Sequence, residues 1–339
     1  MIKFKYLVIL LLAILFLKFF VKIKDKIGNF FHVLDIPKKD KIHKKITPLI
    51  GVFPVIILSF ILLIYFNIIN EAQNVFYIFL YSYLFFIMGY LDDRYNLNAY
   101  LKLSISLVIT LIAINLIESF SINQIYIESI NKTIILNEIK IFFSVLCVLL
   151  LINSLNLMDG INGLASGFAS GWLLSLSLLS NNENVFILFL ILSLFMLVNT
   201  FQIIKGKYFL GDSGTLFLGC LVGLCTIYTY NIQLALGNLI SVEKIFIFFM
   251  IPGIDMFRLF ITRLLQKKDP FGGDLNHLHH ILVKQFSNNT TLLIYSITFI
   301  STNLLSYFNV INTLLIIIIY LNIYILAIFF SKKKFKNTP

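Results

Sequence analysis

Long apolar runs dominate this chain, and its ionisable residues gather in short clusters at the ends of those runs. Hydrophobic residues make up 59% of the sequence and charged residues 13%. A soluble domain could not bury this much apolar surface, and many runs reach the roughly 18 to 20 residues that cross a bilayer. Charges beside the hydrocarbon core are costly, so their retention indicates function. The sequence therefore predicts an all-α, polytopic membrane protein whose polar clusters carry its chemistry.

The apolar runs predict about eleven transmembrane helices. They lie near 5–22, 49–67, 75–91, 100–117, 139–155, 163–180, 184–204, 214–231, 243–263, 290–308 and 310–330. The first run follows Lys3 and Lys5 as a signal peptide would, but it is long and no small-x-small cleavage site follows it. We therefore expect an uncleaved first span.

Lysine and arginine are distributed unevenly between the two sides of this topology. With the N-terminus outside, one side holds about 20 of the 27 basic residues and the other about five. The richer side consists of 22–48, 92–102, 205–213, 263–289 and 331–339. Because basic residues favour the cytoplasmic side, we expect the C-terminus and every polar cluster to face the cytoplasm.

No internal repeat or proline-rich linker divides the chain, so we interpret 1–339 as one integral membrane domain. Within it, the motif-bearing core covers 34–282, C-terminal spans cover 290–330 and a basic tail covers 331–339.

Two further features concern surfaces rather than chemistry. Near-alternating apolar residues at 125–136 predict a small β-hairpin on the outer side, with Asn131 and Lys132 at its turn. The net charge of +11 is largely accounted for by inner loops, where anionic membrane lipids are the expected partners. Nucleic-acid binding is not expected, and the sequence is compatible with a homodimer.

Asp92 and Asp93 are adjacent at the inner end of the third predicted span. Neighbouring carboxylates repel unless a cation or a shared proton relieves them, which suits a metal-linked or general-base role. A helix cap or a solvated loop is the structural alternative. Lys102 could place its ammonium over a phosphate, or simply extend towards the membrane surface.

A second cluster, NSLNLMDGINGLASG, contains Asn153, Asn156 and Asp159 at three-residue steps. On a continuous helix these side chains lie within about 120° of one another. Amide and carboxylate oxygens suit Mg²⁺, whereas amide N–H groups can recognise a nucleobase or sugar hydroxyls. Hydrogen bonding between helices is the alternative.

A third cluster, FLGDSGTLFLG, places Asp212 between glycines at the start of the eighth span. The N–H groups of that helix start would favour a nearby phosphate, whereas a capping role for Asp212 is the alternative and does not exclude metal binding.

A fourth cluster, DLNHLHH, supplies His277, His279 and His280. These imidazoles could bind Zn²⁺, protonate a leaving group or contact phosphate oxygens; without a nearby cysteine we favour phosphate contact over zinc. Asp255 and Arg258 are spaced i, i+3 and could neutralise each other, so Asp255 is a candidate supporting residue.

The motifs together resemble the polyprenyl-phosphate N-acetylhexosamine-1-phosphate transferases of glycosyltransferase family 4. Five segments occur in the family's order and cover roughly 34–282: LDIPKKDKIHKKITPLIG, GYLDDRYNLNAYLK, NLMDGINGLASG, FLGDSGTLFLG and PFGGDLNHLHH. Such enzymes transfer a sugar 1-phosphate from a UDP-sugar to a polyprenyl phosphate and release UMP. The resemblance implies ten or eleven spans, cytoplasmic catalytic loops, a bacterial inner membrane and Mg²⁺, with Mn²⁺ as the alternative ion.

The resemblance also implies roles for individual residues. Asp92 and Asp93 match paired aspartates, one of which is proposed to deprotonate or position the lipid phosphate. Asp212 and Asn156 match positions associated with the metal, and Asp159 a candidate nucleophile. The positions that would bind substrate are Lys41, His43, Lys102, Asn153, Asn162, His277, His279 and His280.

Two departures from the family pattern stand out. The N-terminal element reads DKIH, which leaves the role of Lys41 undefined. Asn162 stands where many bacterial members have aspartate, which fits recognition of uracil better than a role that needs an ionised group.

The HLHH arrangement resembles the branch that uses UDP-N-acetylglucosamine and undecaprenyl phosphate to begin O-antigen, common-antigen or teichoic-acid lipids. Another UDP-N-acetylhexosamine or UDP-N-acetylmuramoyl-pentapeptide is the alternative donor. A polytopic transporter is the alternative of a different class, although its polar groups would tend to lie near mid-span rather than at one membrane face.

Overall fold

The computed structural model describes residues 2–37, 45–68, 73–270, 272 and 276–336. Within these residues the chain forms twelve α-helices and two antiparallel two-stranded sheets. It divides into two compact units. The interpretation of 1–339 as a single domain stays a prediction.

The first unit is formed by Met1–Ile122 and Ile141–Ala235. Its helices are α1 (Ile2–Phe31), α2 (Phe53–Ile68), α3 (Gln73–Tyr95), α4 (Ala99–Leu116), α5 (Lys140–Met158), α6 (Leu164–Leu179), α7 (Glu183–Ile204) and α8 (Gly211–Ala235). Strands β1 (Leu34–Asp35) and β2 (Thr47–Pro48) pair antiparallel between α1 and α2. The unit is thus helical throughout, apart from this short ribbon.

Helix α8 is the core of the first unit and packs against α3 and α6. Its Phe217 is fully buried, as is Trp172 of α6. Helices α6 and α7 approach closely through Ser170 and Ser193, each of which donates its hydroxyl to the other's carbonyl, at 2.9 and 2.8 Å. Small residues that satisfy each other's polar groups are typical of helix contacts in membranes.

The second unit is formed by Asn123–Lys140 and Leu236–Pro339. Its elements are β3 (Gln124–Ile127), β4 (Lys132–Ile135), α9 (Val242–Leu265), α10 (Leu278–Val283), α11 (Asn288–Tyr307) and α12 (Thr313–Lys336). Helix α9 packs against α11 and α12.

Strands β3 and β4 form the hairpin that the sequence predicts at 125–136. They pair antiparallel with Ile127 opposite Lys132, and Asn131 occupies the left-handed region at φ 48°. Asparagine tolerates this conformation better than most residues. The hairpin is confirmed, and its place on the outer side stays a prediction.

Eleven of the twelve helices correspond one to one with the predicted spans, and α10 is the short addition. By length and composition, seven helices in the described parts of the chain could cross a membrane, and α2, α6 and α12 contain shorter apolar segments. Helix α11 is present but less apolar. Its Thr298 and Thr302 hydroxyls return to carbonyls of their own helix, which relieves their cost in an apolar setting. The expectation of an all-α, polytopic membrane protein is confirmed.

Candidate active site

Asp93 caps the N-terminal end of α8. Its Oδ1 accepts the N–H of Asp212 at 2.8 Å and its Oδ2 accepts the N–H of Ser213 at 3.0 Å. A helix start leaves its first N–H groups without intrahelical partners and favours negative charge nearby. The sequence predicts that these N–H groups favour a phosphate; in the structure two of them donate to Asp93 instead.

This capping contact depends on two glycines. Gly211, at φ +72°, begins α8 and lies so near Asp93 that a Cβ there would stand 2.7 Å from Oδ2. Gly89, one turn before Asp93 on α3, faces the Asp212 backbone so closely that a Cβ would collide with it. The absence of side chains lets α3 and α8 come together.

Lys102 bridges Asp92 and Asp212. Its Nζ donates to Asp92 Oδ2 at 2.5 Å and to Asp212 Oδ2 at 3.0 Å. Lys102 lies in the first turn of α4, which begins where Asn98 accepts the N–H of Tyr100. Asp92 is buried, and its second oxygen accepts the N–H of Leu97 at 2.7 Å. The adjacent carboxylates therefore have different partners: Asp93 has backbone donors and Asp92 has a cation.

Asn156 joins this group through Thr215, a buried residue of α8. The Thr215 hydroxyl donates to Asn156 Oδ1 at 3.0 Å and also lies 3.3 Å from the Asp212 carbonyl. Sequence reasoning missed Thr215, although its position three residues after Asp212 on one helix face was a usable signal.

The other asparagines of this motif are placed differently. The Asn153 amide donates to the Leu149 carbonyl of its own helix at 2.8 Å. Asn162 is exposed in the turn after α5. The structure thus ties Asn156 to Asp212 through Thr215, whereas the bond of Asn153 stays within α5.

Asp159 lies one residue beyond the end of α5, so the continuous helix expected over this motif stops at Met158. Burial, followed by the negative charges of Asp212 and Asp93, raises the pKa of Asp159 well above its ordinary value. An acid in this environment holds its proton more tightly than a solvated aspartate does.

A buried asparagine of α7 ties the first motif to the segment before Asp212. Asn199 Nδ2 donates to the Gly51 carbonyl, and its Oδ1 accepts the Tyr208 hydroxyl, both at 2.6 Å. Gly51 N–H in turn donates to the Phe209 carbonyl at 2.8 Å. Sequence reasoning missed Asn199, although an amide within a largely apolar run is a visible signal. The predicted substrate-binding residues Lys41 and His43 lie outside the described residues.

The histidine motif forms a cluster within the second unit, built on Asp255 of α9. Asp255 Oδ2 lies 2.9 Å from His277 Nδ1, and both carboxylate oxygens lie 3.2 Å from the N–H of Leu278. Arg258 Nη2 donates to Asp255 Oδ1 at 2.9 Å, as the i, i+3 spacing predicts. Asp255 therefore contacts both His277 and the first residue of α10.

His279 is the most enclosed of the three histidines, with 2% of its surface exposed. Its ring stacks on that of His277, with centroids 5.4 Å apart, and lies 4.2 Å from that of His280. Within the described chain its Nε2 has no hydrogen-bond partner. Burial, followed by the neighbouring His280 and His277, lowers the pKa of His279 to about 3, which keeps this imidazole neutral.

The ligand atoms of Asp255, His277 and His279 lie within 4.8 Å of one another, which raises the question of a metal. The Asp255 oxygens, however, already accept hydrogen bonds from Arg258, Tyr324, Leu278 and His277. A cation would have to displace these donors and stand beside the Arg258 guanidinium. The group fits a metal poorly.

The donors around Asp212 fit Mg²⁺ better. Asp92, Asp212 and Asn156 offer hard carboxylate and amide oxygens, the ligands that Mg²⁺ prefers. The Lys102 ammonium between Asp92 and Asp212 marks a place where positive charge is favourable.

Comparison with known proteins bears on these two groups of residues. The model of glycosyl transferase family 4 matches residues 75–230, which hold the Asp92–Lys102–Asp212 group. Over that stretch this chain is similar to glycosyl transferase family 4. The family resemblance carried by the sequence motifs is confirmed.

Several curated relatives share most of their length with this chain. A probable undecaprenyl-phosphate N-acetylglucosaminyl 1-phosphate transferase of Bacillus subtilis is 27% identical over 304 residues, which cover 86% of this chain and 81% of the relative. An undecaprenyl-phosphate alpha-N-acetylglucosaminyl 1-phosphate transferase of Thermotoga maritima is 26% identical over 77% of this chain and 76% of its own. The protein of that name in Escherichia coli K12 is 25% identical over 81% of this chain and 75% of its own length. These names match the branch that the HLHH arrangement predicts.

Proposed function

We propose that this chain transfers N-acetylglucosamine 1-phosphate from UDP-N-acetylglucosamine to undecaprenyl phosphate and releases UMP. The observation that carries the proposal is the meeting of Asp92, Lys102 and Asp212 at the ends of three helices, in a chain whose relatives bear the name of this activity. Carboxylates and an ammonium at one point can organise phosphate groups and balance their charge.

The reaction requires one phosphorus–oxygen bond to form and one to break. An oxygen of the lipid phosphate attacks the β-phosphorus of the UDP-sugar in line, and the bond from that phosphorus to the bridging oxygen breaks. UMP departs with the bridging oxygen. Catalysis of such a transfer rests on positioning and on stabilising the charge of the transferred group.

The residues of the first unit have distinct parts in this scheme. Asp93, with both oxygens on backbone N–H groups, positions the helix that carries Asp212. Lys102, released from one carboxylate, orients a phosphate of the donor. Asp212 and Asn156 would hold Mg²⁺ with Asp92, and Thr215 orients the Asn156 amide.

A bound Mg²⁺ would withdraw charge from the donor's pyrophosphate and from the departing UMP. The imidazoles of His277, His279 and His280 would contact the donor's phosphates, with neutral His279 acting as a hydrogen-bond donor. Asn162, exposed after α5, would contact the uracil.

The proposal also covers the membrane in which the protein lies and its orientation there. The basic loops support a bacterial inner membrane protein with its N-terminus outside, its C-terminus in the cytoplasm and its reactive groups on the cytoplasmic face. The product would begin a lipid-linked polysaccharide of the cell envelope.

Release of UMP by purified, folded protein tests the proposal. Undecaprenyl phosphate and Mg²⁺ would be combined in parallel with UDP-N-acetylglucosamine, UDP-N-acetylgalactosamine and UDP-N-acetylmuramoyl-pentapeptide. We expect lipid-dependent release with the first donor, and loss of release on chelation by EDTA with recovery on added Mg²⁺. Release with a different donor would reassign the sugar, and no release with any donor would favour a transporter.

A further inference from the structure

The last helix contributes a tyrosine to the histidine cluster. Along the sequence this tyrosine lies far from any of the motifs. Tyr324 of α12 is 4% exposed, and its hydroxyl donates to Asp255 Oδ1 at 2.6 Å. The same hydroxyl accepts the Nε–H of Arg258 at 2.6 Å. Both partners are ionised side chains, and such hydrogen bonds are stronger than those between neutral groups.

These bonds fix the direction in which the Asp255 carboxylate faces. One oxygen, Oδ1, accepts Tyr324 and Arg258, which leaves Oδ2 for His277 Nδ1 at 2.9 Å. An ionised carboxylate has no hydrogen to give, so the imidazole must donate its Nδ1–H. The tautomer and ring orientation of His277 therefore follow from the setting of Asp255.

Arg258 extends the same arrangement to the chain before α10. Its Nη2 donates to the Asn276 carbonyl at 2.6 Å, immediately before His277. Tyr324 holds Arg258 at Nε while Nη2 reaches both Asp255 and Asn276. The Tyr324 hydroxyl thus fixes the side chains of Asp255 and Arg258, and these two side chains position the start of the histidine motif.

We propose that Tyr324 is a positioning residue for the histidine motif, acting through Asp255 and Arg258 on His277. The proposal rests on the function proposed above, because the histidines are there assigned to the donor's phosphates. It assigns a part in donor binding to a helix outside the residues matched by the family model.

Tyr320 offers a matched control on the same helix. It lies one turn before Tyr324, is 5% exposed, and its ring centroid is 6.2 Å from that of Tyr324. Within the described chain the Tyr320 hydroxyl has no hydrogen-bond partner. Tyr324→Phe and Tyr320→Phe therefore remove the same atom from similar surroundings, and only the first removes hydrogen bonds.

The first experiment compares steady-state UMP release by the two variants and the unaltered protein. For Tyr324→Phe we expect KM for UDP-N-acetylglucosamine to rise about tenfold, the loss expected for a hydrogen bond to a charged group. KM for undecaprenyl phosphate should stay within twofold, and Tyr320→Phe should match the unaltered protein in both. A tyrosine that only supported the fold would lower the active fraction and leave both KM values unchanged, which would overturn the proposal.

The second experiment does not depend on turnover. Solution ¹⁵N NMR of histidine-labelled protein in detergent micelles reports the tautomer of His277, with its signals assigned by their loss in His277→Gln. We expect the Nδ1–H form in the unaltered protein and in Tyr320→Phe, and a mixture of tautomers in Tyr324→Phe. An unchanged His277 spectrum in Tyr324→Phe would overturn the positioning role.

The two experiments separate the two proposals. If the unaltered protein releases no UMP, the proposed function fails, and the His277 spectrum alone decides the role of Tyr324. If Tyr324→Phe does not fold, Arg258→Lys carries the test, because it keeps the charge but its single nitrogen cannot occupy both the Nε and the Nη2 positions. Its expected result is the same rise in donor KM and the same change of the His277 signals.

Discussion

Asp93 and Asp212 are joined through the backbone: the carboxylate of the first accepts the N–H of the second at 2.8 Å and the N–H of Ser213 at 3.0 Å. The motif with the paired aspartates thus holds in place α8, the helix that carries Asp212. Asp92, the neighbour of Asp93, instead accepts a hydrogen bond from Lys102. Adjacent, chemically identical side chains have separate tasks because one faces a helix end and the other faces a cation.

Asp93→Asn should lower the stability of the protein. An asparagine keeps one acceptor but turns an amide donor towards one of the two N–H groups, a loss of about 1–3 kcal/mol in unfolding free energy. Thermal unfolding in detergent, followed by circular dichroism, measures it. Asp25→Asn, at an exposed aspartate of α1, is the control. An equal fall in both variants would contradict the capping role.

Lys102→Met should make the protein's stability depend more strongly on Mg²⁺. Without the ammonium, Asp92 and Asp212 lose a shared counterion, which costs about 1–3 kcal/mol. We expect a lower unfolding temperature in EDTA and a larger rise on adding Mg²⁺ than in the unaltered protein. Lys205→Met, at an exposed lysine after α7, serves as control. An equal rise in both variants would argue against a metal beside these carboxylates.

Asp159→Asn should retain a substantial part of the activity, within about tenfold of the unaltered rate. The raised pKa of Asp159 favours the neutral acid, whose shape and polarity an amide reproduces. In the same assay Asp212→Asn should abolish Mg²⁺-dependent UMP release, by about a hundredfold or more, while the protein stays folded. Complete loss in Asp159→Asn would instead favour a covalent intermediate at this carboxyl.

The buried His279 should make the folded state less stable as the pH falls. Its folded pKa is about 3, whereas the unfolded chain takes up the proton near the ordinary value of about 6.5. Protons therefore favour the unfolded chain from about pH 6.5 downwards, by about 2 kcal/mol at pH 5. Unfolding temperatures at pH 7 and pH 5 measure this, and His279→Gln should reduce the difference. A variant that keeps the full pH dependence would assign it to other groups.

The helices were predictable because the signal for each one lies in a single segment of the sequence, namely the length and polarity of one apolar run. The eleven predicted spans match helices, and even the hairpin around Asn131 was visible as alternation with a turn. Helix α10 was not predicted, since its six residues carry too few turns to show a period.

The residues of the site were predictable from the sequence, but the contacts between them were not. Asp92, Lys102 and Asp212 were visible as charges at the ends of spans, but their pairing joins positions as many as 110 residues apart. Asn199 and Tyr324 are polar groups within largely apolar helices, and their roles depend on the partners that packing brings to them. Sequence patterns report periodicity along one element and carry no record of such distant pairs.

The pairing of Asp92 with Lys102 bears on how the chain enters the bilayer. Helices α3 and α4 together carry two acidic and two basic side chains, Asp92, Asp93, Arg94 and Lys102, so this helical hairpin has no net charge. Its ion pair joins residues only ten positions apart and needs no later segment. During biogenesis the hairpin can insert as an electrically balanced unit at a lower cost than separate charges would impose. Asp212, synthesised much later, then meets a lysine already in place.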